Sequence, residues 1–307
     1  MKIDLSVRFA GIWMQNPVMN CTGTMEPNEA CQELIKPDKL GAIVSKSINF
    51  AGKSGNPQPR LWEVAGGIIN NIGLQNDGVI NFVEEKIFEF VKIGVPLIVS
   101  FFGKNIREYL KVARILQEKA EAFIAGLEAN VSCPNIHDGL IFGSNAKLLF
   151  KLVKAVKTEV SLPLIIKLTP NVTDIGAMAK AAEDAGADIL SLINTVRVRD
   201  RIPSGPNAGQ WIVGGYSGFG IKPIALQKVW EVSEAVDLPL IGMGGILTVK
   251  DALDFLRIEN VWAVGVGTAT FRDPSKMMEI IAGLGKYLKE KGYKSIKEFK
   301  RAETLLA

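Results

Sequence analysis

The chain has 307 residues, 48% hydrophobic and 22% charged, with a net charge of +4. That balance supplies enough apolar surface to repay the ordering of a backbone, and too little charge for a disordered chain. No aromatic interleaving or reading helix accompanies the basic excess, which argues against nucleic-acid binding; charges within the first eight residues, and no apolar run near the ~18 residues that span a bilayer, argue against a leader or membrane anchor.

Three cysteines, Cys21, Cys31 and Cys133, are dispersed without metal-type spacing. Neither a disulfide framework nor a metal site is expected, and the compartment is read as cytoplasmic. Short apolar runs alternate with longer helical patterns, as in parallel strands joined by crossover helices. Eight strands are predicted, at residues 17–20, 42–46, 97–101, 125–131, 164–168, 189–193, 240–243 and 263–267. That number points to an α/β fold, a TIM (β/α)8 barrel, with residues 1–307 forming one domain. Residues 79–92 repeat apolar side chains at helical spacing, and Thr173-Asp174 is a start signal for a helix that Gly186 stops. The lysines and Arg301 of the tail, residues 286–301, read as a solvated helical face.

The loops at 48–75, 134–144 and 195–220 are long and follow strands 2, 4 and 6. In such a barrel these loops share the C-terminal face, where chemistry is assembled. Polar residues close several of the apolar strands: Lys46 the second, Asn130 to Asn135 (NVSCPN) the fourth, Lys167 the fifth, and Asn194-Thr195 the sixth. Buried strand ends do not hold bare amides and amines without a partner, and a ligand is one such partner. Glycines end the last two strands, at Gly242 to Gly245 and Gly265 to Thr268, where TIM barrels recurrently bind phosphate.

From about Asn16 to Pro274 the chain resembles the dihydroorotate dehydrogenases. The resemblance rests on several motifs in order: GNPQPR from Gly55, NNIGLQNDG from Asn70, NVSCPN from Asn130, KLTPN from Lys167, LINT from Leu192, Ser217-Gly218 with Ile221-Lys222-Pro223, GMGGI from Gly242 and VGTA from Val266. It implies oxidation of dihydroorotate to orotate in pyrimidine (UMP) biosynthesis, with hydride passing from substrate C6 to N5 of FMN and a proton leaving C5 to Cys133 as base. Lys46, Asn70, Gly73, Leu74, Asn130, Asn135, Asn194 and Thr195 would hold the substrate. Thr22, Lys46, Ser47, Asn130, Lys167, Ile193, Gly218, Gly244, Gly245, Gly267 and Thr268 would hold FMN, the last four around its phosphate. Cysteine at position 133, where the membrane-bound, quinone-linked class has serine, places the resemblance with the soluble class. The Gly73-Leu74-Gln75-Asn76 and LINT forms are more like its NAD-linked subclass. That subclass implies a homodimer, within a heterotetramer whose second subunit carries FAD and a [2Fe-2S] cluster and relays electrons to NAD.

Taken alone, Cys133 would read as a buried, inert thiol; its asparagine neighbours reverse that reading. Cys21 and Cys31 keep it, and His137 reads as a surface loop residue. The chain departs from the family pattern at Ser100, where asparagine is common beside the flavin, and over residues 196–215, with Arg197, Arg199, Arg201, Gly205-Pro206 and Trp211. Two other enzyme readings use the same residues: a dihydropyrimidine dehydrogenase-like flavoenzyme acting on uracil or thymine, and a flavin-free lyase with Lys167 as Schiff-base nucleophile. A non-catalytic binding barrel leaves Cys133 and both lysines without a role.

Overall fold

Eight parallel strands, Val18–Asn20, Ile43–Val44, Leu97–Phe101, Gly126–Asn130, Leu164–Lys167, Ile189–Leu192, Leu240–Met243 and Val261–Val266, hydrogen-bond side by side in chain order. The eighth returns to pair with the first, and a parallel bridge between Met19 and Ala42 joins the first to the second, so the sheet closes. In this computed structural model, residues 3–28, 33–132 and 142–304 are described. The expected TIM barrel is therefore present, with each predicted strand in its place.

Both faces of these strands are covered, by the barrel interior and by the helices outside, which is why their sequences run apolar without alternation. The helices bury one stripe each. In Ile106–Ala120 the buried residues Tyr109, Val112, Ala113, Leu116 and Ala120 fall at three- and four-residue spacing. Asn105 starts that helix by accepting from the Glu108 amide, and Asp174 does the same for Ile175–Asp184 through the Ala177 amide. Gly186, at φ +98°, follows the second helix in a conformation open to glycine. The expected helix over residues 79–92 forms in three pieces, Gly78–Asn81, a π-helical turn Phe82–Lys86, and Ile87–Val91.

Two antiparallel additions have no counterpart in the sequence reading. A hairpin of Val7–Phe9 and Ile12–Met14 covers the N-terminal end of the barrel, with Ile12 against Gly126 at the foot of the fourth strand. At the opposite end, Leu61–Val64, Gly67–Asn70, Trp211–Ser217 and Val196–Arg201 form a four-stranded sheet that knits together the loops after strands 2 and 6. The unexpected segment 196–215 is the outer hairpin of this cap.

The tail needs one correction. Lys286, Lys289, Lys291, Lys294, Lys297 and Arg301 are exposed as expected, but Lys300 is buried in the helix Ile296–Glu303. Its ammonium donates to the carbonyls of Leu256, Ile258 and Val261 at 2.9, 3.0 and 2.8 Å. It holds the C-terminal helix onto the end of another. Among the described residues, no helix is long and apolar enough to cross a membrane.

Candidate active site at the C-terminal mouth of the barrel

The most buried charges at the mouth come from strands 4 and 5. Glu128 is 1% exposed and Lys167 4%, and the ammonium lies 3.7 Å from the carboxylate. Thr22, just after strand 1, donates to Glu128 Oε1 at 2.5 Å and accepts from Lys167 at 3.1 Å; Ser191 of strand 6 donates to Glu128 Oε2 at 2.9 Å. Four strands are thus tied by one carboxylate. A buried charge persists only when paired and hydrogen-bonded, and both conditions hold here.

Beside this network lies a neutral one. The Asn130 amide donates to the Ser47 hydroxyl at 3.2 Å, and the Asn194 amide donates to Asn130 Oδ1 at 3.3 Å. Ser47 also pairs with the Ser100 hydroxyl at 2.7 Å, while Tyr109 anchors the end of strand 4 by donating to the Asn130 carbonyl at 2.7 Å. Asparagine suits such a place because its amide donates and accepts, matching a ligand that carries both N–H and C=O groups.

The cap supplies the outer wall. Asn70 donates to the Gly215 carbonyl at 2.9 Å, and a Cβ on Gly215 would stand 2.3 Å from the Thr195 hydroxyl and 2.9 Å from the Asn70 amide. Position 215 therefore has room only for glycine where Asn70 and Thr195 converge. Gly73 and Leu74 form a left-handed turn at φ +76° and +58°, held by Asn56 and by the Asn76 amide on the Leu74 carbonyl. Lys46 is half-buried, its stem toward Gly23, and burial lowers its pKa below the usual lysine value, with Glu26 partly offsetting.

The glycines form a cradle at the ends of strands 7 and 8. Gly218, Gly244 and Gly245 all have positive φ. A Cβ on Gly245 would lie 2.7 Å from the Lys222 backbone nitrogen, and one on Gly218 would lie 2.6 Å from Gly67 and 3.4 Å from the Thr268 methyl. Thr268 donates to the Ser217 hydroxyl at 2.8 Å, and Ile193, after a cis Leu192–Ile193 peptide, faces Gly244. Gly267 lies against Cys21 and Thr24. Backbone without side chains at these positions is what a phosphate can approach.

Cys133, Asn135 and His137 lie outside the described residues, as does Cys31. The described site residues nevertheless gather at one end of the barrel, from strands 1, 2, 4, 5 and 6 and the loops after 6, 7 and 8.

Comparison with known proteins agrees with this geometry. The family model for dihydroorotate dehydrogenase matches residues 4–288. The catalytic subunits named dihydroorotate dehydrogenase B (NAD(+)) from Geobacter metallireducens and Geobacter sulfurreducens are each 44% identical, covering 96% and 97% of both chains. The one from Caldicellulosiruptor bescii is 41% identical over 96% of this chain and 98% of its own. The chain belongs to the dihydroorotate dehydrogenase family.

Family membership makes sense of residues that the sequence reading left aside. Glu128 was not among the expected site residues, although an acidic residue inside the apolar strand-4 run is itself a signal, since such a charge must find a partner. Tyr109 and Ser191 carry no such signal, because their roles depend on which strands become neighbours and on which helix packs over them. Ser100, where the family pattern commonly has asparagine, is fully buried and spends its hydroxyl on Ser47 rather than facing outward. A flavin fits what is present: Thr22 is the one hydrogen-bond acceptor of the Lys167 ammonium among the described residues, which leaves protons for a ligand, and the glycine cradle suits a phosphate.

Proposed function

We propose that this chain is the catalytic subunit of an NAD-linked dihydroorotate dehydrogenase, oxidising dihydroorotate to orotate in pyrimidine biosynthesis, in the cytoplasm, with FMN as its flavin. The observation that carries the reading is the pair Asn130 and Asn194, with Lys167 and Asn70 at the same end of the barrel, in a chain that matches the family from residue 4 to 288. Asn70, Asn130, Asn135, Asn194 and Thr195, with Lys46, hold the carboxylate, carbonyls and N–H groups of the pyrimidine; Gly73 and Leu74 shape the turn beside it. Thr22, Ser47, Lys167 and Ile193 line the flavin ring, and Gly218, Gly244, Gly245, Gly267 and Thr268 hold its phosphate. Bound FMN supplies the hydride acceptor. Cys133 takes the C5 proton, and Lys167 provides positive charge where the reduced flavin is electron-rich. The curated relatives are named as catalytic subunits, which supports a separate electron-transfer subunit, carrying FAD and a [2Fe-2S] cluster, in a heterotetramer around a homodimer of this chain.

The test is anaerobic mixing of the flavin-loaded protein with dihydroorotate, followed by flavin absorbance, in the wild type and Cys133→Ala. Bleaching in the wild type, slowed roughly 10²- to 10⁴-fold in the variant, is the expected result. A wild-type protein that binds no FMN sinks the flavin assignment, and a yellow protein reduced by uracil or thymine but not by dihydroorotate moves the substrate.

A further inference from the structure

The carboxylate of Glu128 has no place in the reaction proposed above, yet it is the most enclosed charge at the mouth. The direction of each hydrogen bond around it is fixed by chemistry. A lysine ammonium only donates and a carboxylate only accepts, so the single Thr22 proton goes to Glu128 and the Thr22 lone pair receives Lys167. Ser191 completes the carboxylate from the other side. The chain Lys167 to Thr22 to Glu128 has only one orientation, and it holds the ammonium where its remaining protons have no acceptor among the described residues. An apolar residue of similar size would fill position 128 without any desolvation cost. A carboxylate there does two things an apolar residue cannot: it fixes the ammonium in place, and it opposes the ammonium's field.

We propose that Glu128 is a positioning residue that holds the Lys167 ammonium toward the flavin and, by its own negative charge, sets how readily the flavin accepts electrons. The inference rests on the flavin reading given above. Lys167 and Glu128 together are neutral, so the field they set at the reduced flavin is the difference between the ammonium's and the carboxylate's. Removing only the anion leaves a net positive charge in a poorly screened site, which favours the electron-rich reduced flavin.

The experiment is a redox titration of the FMN-loaded protein in the wild type, Glu128→Gln, Glu128→Asp and Lys167→Met, with flavin affinity measured on each. Glutamine keeps an acceptor for Thr22 and the shape of the side chain while losing the charge. The midpoint potential is expected to move positive in Glu128→Gln, negative in Lys167→Met, and to stay near the wild type in Glu128→Asp. A merely structural role moves flavin affinity in both Glu128 variants and leaves the potential unchanged; that result overturns the proposal. Thr22→Val removes the bridging hydroxyl while leaving both charges, and keeps the positioning claim testable if Glu128→Gln does not fold. With the ammonium no longer held by Thr22, the midpoint potential is expected to move negative, and an unchanged potential overturns the claim that the bridge positions Lys167. Failure of the flavin reading itself is seen separately, as wild-type protein that takes up no FMN.

Discussion

The Ser47 hydroxyl serves two neighbours at once, pairing with Ser100 and receiving the Asn130 amide, so the two sides of the mouth share one atom. Removing it leaves a buried hydroxyl and a buried amide short of a partner, a loss of about 1–3 kcal/mol. Ser47→Ala is therefore expected to lower the urea midpoint by a matching amount and to weaken FMN binding through the loosened Asn130. An unchanged midpoint would show that the pair is not stabilising. Cys21 offers a second check at this scale. It lies half-buried against Met243 and Gly265, and desolvation there pushes its thiol up to about 11, with Lys167 partly opposing the rise. Only thiolate alkylates, so iodoacetamide at pH 7.5 is expected to leave Cys21 unmodified by peptide mass spectrometry. Rapid labelling of Cys21 would mean that desolvation does not hold its thiol in the protonated form.

Elements carry the next set of consequences. The helix Ile296–Glu303 is held by a lysine that burial pushes down to about 8, with Glu259 opposing the fall. The unfolded chain keeps its lysine proton until about 10.5. Between those values the unfolded state binds more protons, so stability contributed at this site rises with pH across that window. Below it both states are protonated and the cost of burying the charge stands in full. Against Lys300→Met, the wild-type stability is expected to gain up to ~3 kcal/mol from pH 8 to 10.5, measured by denaturant unfolding; a flat difference would contradict a neutral buried amine. The same burial explains why residue 300 was misread. Its neighbours Lys297 and Arg301 face solvent, and only its place on the buried face with Ile296 and Phe299 distinguishes it. Strands of the barrel were legible because burial on both faces leaves continuous apolar runs, so even the short second strand, Ile43–Val44, lies within its predicted span. Strands of the cap were not. Arg197, Arg199 and Arg201 alternate with half-buried residues in Val196–Arg201, a pattern read only as a departure from the family. The site divides along the same line: strand-end amides and lysines were visible in sequence, whereas the pairings that fix them, with Glu128, Ser191 and Tyr109, come from sheet order and from the helix packed on the sheet.

At the scale of the molecule, the barrel and its cap differ in how their hydrogen bonds are protected. Barrel strands such as Leu164–Lys167 and Ile189–Leu192 are buried along their whole length, whereas Leu61–Val64 and Val196–Arg201 alternate between exposed and half-buried residues. Local opening is cheapest where few apolar contacts guard the backbone. Amides of Val198 and Asp200 are therefore expected to exchange with deuterium far faster than those of Ile166 and Leu190. The two regions meet at Asn70, which lies on a cap strand and belongs to the proposed substrate set. A ligand that binds only the closed cap stabilises it by mass action. Orotate at saturating concentration is then expected to slow exchange across Gly67–Asn70 and Trp211–Ser217 by an order of magnitude or more, while Ile166 and Leu190 change little. Equal slowing everywhere would make the molecule one cooperative unit. No slowing in the cap would remove Asn70 from the substrate contacts and leave binding to the barrel residues Asn130 and Asn194.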